Sequence, residues 1–214
     1  MRIVTKLRGA GAFLAAAAVA ATVSLGAGPA AAAMTWSVHP GGPFSMAFGK
    51  TGLTDLTTST VIFTCSSSEA GGTLRSGSGL SGTDLGSISG WSFKACAGPL
   101  GLTFSVKPGG LPWKLSFLSY NSTSHTATGQ ITGIHLALAA SGCSAVVDGT
   151  GPNALNGSEK FQFHSGTHPG KFLPSSSTMH FYNVSGCSGL IHSGDRAALT
   201  GSFTISPAQT ITSP

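Results

Sequence analysis

Apolar side chains return at every second position in one short run after another, and this alternation constrains the fold more tightly than any other property of the chain. In TVIFTC, Val61, Phe63 and Cys65 alternate with Ile62 and Thr64. LTFSVK sets Leu102, Phe104 and Val106 against Thr103, Ser105 and Lys107, and KFQFH sets Phe161 and Phe163 against Gln162 and His164. ALTGSFTI places Ala197, Leu199, Phe203 and Ile205 opposite Ala198, Thr200, Ser202 and Thr204. Successive side chains of a strand point to opposite faces, so each run describes a strand with one face buried and one wet. Turn-forming clusters separate the runs: Pro40-Gly41-Gly42-Pro43, Ala70-Gly71-Gly72, Ser76-Gly77-Ser78-Gly79, Pro108-Gly109-Gly110 and the stretch from Asp148 to Asn153. Beyond residue 33 the nearest approach to a helical stripe is GIHLALAAS, residues 133–141, and the flanking Gly129, Gly133 and Gly142 favour a buried strand there instead. Roughly ten to twelve short strands at this spacing imply an all-β, antiparallel β-sandwich or barrel.

Residues 1–33 have a different character. Arg2, Lys6 and Arg8 precede a short apolar stretch from Phe13 to Leu25, and Ala31-Ala32-Ala33 supplies small residues for cleavage. The stretch is Ala-dominated, is followed by Gly26, Gly28 and Pro29, and is shorter than the roughly 20 strongly apolar residues of a membrane span. It is expected to act as a secretory signal peptide. The mature chain would then be residues 34–214, 181 of the 214, secreted and extracellular with no transmembrane segment. A single domain is expected over that length, the alternative being two packed halves with a break near 121–128. Three of the 11 Lys and Arg residues leave with the leader, so 8 cations face 6 acids. Lys50, Arg75, Lys94, Lys107, Lys114, Lys160, Lys171 and Arg196 stand singly along the chain. A nucleic-acid partner needs a basic stripe that neutralises several phosphates, and these isolated charges do not form one in sequence.

Four cysteines in an exported chain imply two disulfides, for which three connectivities exist. SGCSAVVDG at 141–149 and SGCSGLIHS at 185–193 share the tetrad Ser-Gly-Cys-Ser followed by apolar residues and a turn, as two stapled, equivalent strands would. Cys143 is therefore paired with Cys187, and Cys65 with Cys96. No two cysteines have the close spacing of a zinc site, so no metal or other cofactor is expected. The order Cys65…Cys96-Ala97-Gly98, Leu111-Pro112-Trp113-Lys114-Leu115, Gly129-Gln130-Ile131-Thr132-Gly133-Ile134, Ser141-Gly142-Cys143-Ser144-Ala145, then Val184-Ser185-Gly186-Cys187-Ser188-Gly189-Leu190 and Gly194-Asp195 resembles the small secreted, disulfide-containing β-rich proteins of unassigned function common in high-GC Gram-positive bacteria (actinobacteria). The resemblance covers most of residues 34–214; it implies export and disulfides, and gives no residue a catalytic role.

Few residue patterns suggest catalysis. A serine-hydrolase elbow requires glycine two residues before and two after the nucleophile, and no serine here has both. In SGCSGLIHSGDRAALTGSFTIS, residues 185–206, His192 and Asp195 flank Ser193-Gly194, the composition of a two-residue hairpin loop whose aspartate bonds backbone amides. Arg196 beside them is expected to be a solvated strand-end charge. His164 and His168 stand four apart, but Ser165-Gly166-Thr167 and Pro169 argue against the helix that would join them as ligands. His39, His125, His135, His180 and His192 are dispersed and are expected at outward or loop positions. Among the acids, Glu69, Asp84, Asp148, Glu159 and Asp195 lie beside Gly, Ser or Thr in apparent loops, and Asp55 falls between Leu53 and Leu56.

Aromatic residues favour binding. Trp91 alternates with Phe93 and Ala95 and belongs to the core. Trp113, after the Pro-Gly-Gly-Leu-Pro loop, is expected to be partly exposed, followed by Tyr120 and Trp36, and these three are the candidate binding residues. Three function classes remain. In order they are binding or surface interaction, with a cell-wall or extracellular polysaccharide or a protein as partner; a structural extracellular component; and a low-charge secreted hydrolase. The weight of these features lies against an enzyme.

Overall fold

The computed structural model describes residues 34–165 and 169–214; the leader expected over 1–33 and His168 lie outside the described residues. Four antiparallel strands form a wall in the order β14-β2-β3-β5, where β2 is Gly42–Asp55, β3 is Thr60–Leu74, β5 is Gly86–Ala97 and β14 is Arg196–Ser206. At one end of this wall, β7 (Trp113–Asn121), β8 (Thr126–Ile134), β11 (Gly157–His164) and β12 (Pro169–Leu173) lead from β5 round to β14. At the other end, β6 (Thr103–Pro108), β9 (Leu136–Ala140), β10 (Cys143–Asp148) and β13 (Met179–Gly186) complete a second circuit. The pairings β12–β14 and β5–β6 close the two rings, so the sheet makes two eight-stranded barrels with four strands in common. Closure removes the free edges that a single open sheet of this size would expose. A separate three-stranded sheet, β15-β1-β4, joins β1 (Thr35–His39), β4 (Gly77–Ser81) and β15 (Thr210–Thr212). It caps the first barrel, with Ile211 lining the lumen and the Trp36 ring 5.4 Å from Phe117.

The expected alternation builds these walls. In β2, Phe44, Met46 and Phe48 are buried while Pro43, Ser45 and Ala47 are exposed. The lumen of the first barrel is lined by 7 of the 12 phenylalanines, Phe44, Phe48, Phe117, Phe161, Phe163, Phe172 and Phe203, together with Met46, Leu, and Ile side chains. An eight-stranded barrel is just wide enough for side chains to fill. Here they leave a cavity of about 20 Å³, which is water-sized and lined only by apolar groups. Two glycines make room for the rings. Phe161 lies opposite Gly129 and Phe203 opposite Gly170, where an added Cβ would come within 2.3 and 2.2 Å of the respective rings. Apolar inside and hydroxyl-rich outside is the reverse of a lipid-facing barrel. No helix among the described residues is long and apolar enough to cross a membrane.

Where the rings diverge, side chains take over from missing strand partners. β14 pairs with β12 over Ser202–Thr204 and with β13 over Arg196–Ala197. Between them the Leu199 N–H donates to Glu159 Oε2 at 2.8 Å, and Ser177 Oγ donates to the Ala197 carbonyl at 2.6 Å. On the opposite edge, β5 pairs with β7 over Gly86–Ile88 and with β6 over Cys96–Ala97. Trp113 sits at this fork opposite Ile88, with its ring 5.8 Å from Trp91.

Both expected disulfides are present, Cys65–Cys96 across β3 and β5 and Cys143–Cys187 between the start of β10 and the turn after β13. The expected all-β antiparallel fold is formed, with fifteen strands among the described residues, twelve in the double ring and three in the cap. Two expectations about the fold need correction. Residues 121–128 hold no boundary: Asn121 pairs with Thr126 at the end of the β7–β8 hairpin, and the strands of the two rings alternate along the chain. Val61 is 50% exposed rather than buried with Phe63, because an extra residue at Ile62 between the pairs Leu53–Phe63 and Thr54–Val61 turns it outward.

Candidate functional site

The capped end of the first barrel carries two adjoining open grooves. They flank the connection from β3 to β4, which runs through Arg75 and Ser76. The Arg75 N–H donates to the Leu85 carbonyl at 2.9 Å, and Ser76 Oγ donates to the Pro40 carbonyl at 2.6 Å, so the turn is pinned on both sides. On one side, Thr73, Arg75, Asp84, Ser87, Pro112 and Lys114 line a groove of about 390 Å³. The β5–β7 register brings Lys114 opposite Ser87, where its Nζ meets Asp84 Oδ2 at 2.9 Å. The Asp84 N–H in turn donates to Ser116 Oγ at 3.1 Å. Arg75 is exposed and has no carboxylate within ion-pair distance among the described residues. On the other side, Ser37, His39, Ser76, Ser78, Thr210 and Thr212 line a groove of about 340 Å³ across the cap sheet.

Sequence inspection missed this site because it treated the cations as isolated. Strand register, invisible in any local stretch, gathers Arg75, Asp84 and Lys114. The aromatic candidates fall elsewhere. Trp36 and Trp113 are 1% and 0% exposed, so neither offers a ring to a ligand. Trp36, on the cap strand β1, turns its ring onto Phe117. Trp113 is covered by the loop that was expected to present it, for its indole N–H donates to the Gly109 carbonyl at 2.8 Å. Tyr120 is half-buried at the β7–β8 hairpin, its hydroxyl 3.4 Å from His125 Nδ1. Trp91 is in the core as expected.

One histidine and one acid do converge. Asp148 is fully buried and accepts from His135 Nδ1 at 2.9 Å and from the N–H groups of Gly149, Leu155 and Asn156 at 2.6, 3.0 and 3.1 Å. Burial pushes the carboxyl up, but His135 and the three amides outweigh it and hold the group below its ordinary 3.8. His180 Nδ1 and the Tyr182 hydroxyl both approach the Gly149 carbonyl, at 3.3 and 2.8 Å. This geometry orients an imidazole, yet no serine or threonine hydroxyl bonds to the His135 ring among the described residues. The arrangement fastens the 148–156 loop.

The segment 185–206 holds a turn at Ser193-Gly194 without the expected two-residue hairpin. β14 instead pairs its first residues with the first residues of β13, Ala197 with Met179 and Arg196 with His180, and the intervening chain folds back along β13. His192 Nδ1 and Asp195 Oδ2 lie 3.3 Å apart on an exposed bend, with Asp195 also accepting the His192 N–H. Arg196 is exposed but not free, since its Nη2 donates to the Ser177 carbonyl at 3.2 Å. Glu159, expected in a loop, is fully buried in β11, and desolvation raises its carboxyl to about 9 despite the hydrogen bond from Leu199. No group of three His, Cys, Asp or Glu side chains suited to a metal occurs among the described residues. No family model, curated protein or solved structure matches the chain.

Proposed function

We propose that the protein is an extracellular carbohydrate-binding module without catalytic activity. The observation that carries this reading is the pair of grooves of about 340 and 390 Å³ at the capped end, one bordered by Ser37, Ser76, Ser78, Thr210 and Thr212, the other by Thr73, Ser87, Arg75, Asp84 and Lys114 beside Leu74 and Pro112. Open grooves that set hydroxyls and charges beside apolar stretches match a sugar chain, which offers hydroxyl edges and C–H faces together. Two closed rings on a shared four-stranded wall supply a rigid frame, which lowers the ordering cost of binding.

Titration of the chain with a panel of soluble polysaccharides by calorimetry tests the reading. At least one glycan is expected to bind, and Ser78→Trp, which fills the groove from an exposed position, is expected to weaken it by about tenfold or more. Absence of binding across the panel, or full affinity in Ser78→Trp, would overturn it.

A further inference from the structure

The two grooves differ in charge, and the difference points to the class of glycan. Resting on the carbohydrate reading above, we propose that the groove walled by Arg75 and Lys114 is a subsite for the anionic group of an acidic polysaccharide, either a pendant carboxylate or a backbone phosphodiester. Two of the eight cations beyond residue 33 line this one groove, against one acid, Asp84. Asp84 is engaged by Lys114 at 2.9 Å, which leaves the Arg75 guanidinium as the cation without an acidic partner among the described residues. A guanidinium presents parallel N–H donors that match the two oxygens of a carboxylate or phosphate, a match that an ammonium does not provide. Thr73 Oγ1 and Ser87 Oγ, 3.3 Å apart, line the same groove and can turn a hydroxyl toward the anion. The neighbouring groove holds hydroxyls and His39 but no acid, lysine or arginine, and so suits the uncharged part of the same chain.

The test compares four probes on the full chain by calorimetry at low and physiological salt: polygalacturonate, its carboxyl-reduced counterpart, a glycerol-phosphate polymer, and dextran. At least one anionic polymer is expected to bind about tenfold more tightly than the neutral ones, with a preference that shrinks as salt rises. Which anionic polymer binds identifies the source of the charge. Arg75→Gln is expected to abolish the preference while leaving the thermal midpoint unchanged, since no side-chain hydrogen bond to Arg75 is present among the described residues; Arg75→Lys is expected to restore it in part. Equal binding of anionic and neutral glycans, or a preference that survives Arg75→Gln, overturns this assignment and leaves the carbohydrate reading standing. Failure of every polymer to bind overturns both.

Discussion

Glu159 keeps its proton at neutral pH because its carboxyl is buried where the two rings divide, with only the Leu199 N–H to accept from and Oε1 left without a partner. Its folded value of about 9 stands above the ordinary 4.5. Between those values the unfolded chain has released this proton and the folded chain still holds it. This group therefore lowers stability as pH rises through that window, by about 1.4 kcal/mol per pH unit at most, and stops doing so above it. Glu159→Gln keeps an oxygen for Leu199 and carries no charge. Urea titrations of both forms between about pH 5 and 8.5 are expected to show the wild type losing stability relative to the variant as pH rises; parallel curves would contradict the burial argument. Trp113 makes a second residue-scale case. Trp113→Phe gives up the bond to Gly109 and some packing on Trp91, and is expected to cost roughly 1–3 kcal/mol by chemical denaturation. Glycan affinity is expected to remain unchanged, because the ring reaches no groove.

The strands show how much of the fold could be read locally. Alternation in β6, β11 and β14 identified strands because one face of each is buried, and the repeated Ser-Gly-Cys-Ser tetrads located one disulfide. Three features were not legible. Val61 turned outward through a bulge that no local pattern marks, Glu159 looked like a loop acid because serine precedes it, and the Pro-Gly-Gly-Leu-Pro loop hid Trp113 rather than displaying it. Each depends on a partner distant in sequence. At this scale the disulfides and the cap make separate predictions. Replacing Cys143 and Cys187 together by Ala opens a loop with a sequence separation of 44 and is expected to cost roughly 3–4 kcal/mol, read as a lower thermal midpoint. Ending the chain at Pro207 removes β15 and with it Ile211 from the mouth of the first barrel. The apolar side chains uncovered at that mouth are then expected to bind a hydrophobic fluorescent dye that the intact chain excludes; equal dye binding by both would show that the sheet is not a cap.

Taken whole, the molecule is two closed rings on a shared wall, and that closure was beyond local inspection because the four wall strands give one continuous strand signal to both barrels. The same topology determines where a ligand can act. The lumen of the first barrel is filled, the rings present polar outer faces, and the charged groove arises where the β3–β4 turn, the β5–β7 register and the cap meet. His135 and Asp148 lie at a different place and serve the loop after β10. The most direct test is a residue-resolved footprint, by amide chemical shifts, of the chain titrated with the polysaccharide it binds. Perturbations are expected at residues 37–39, 73–78, 84–87, 112–114 and 210–212, the borders of the two grooves. A footprint centred on residues 148–156 and His180, with the grooves unperturbed, would contradict the account.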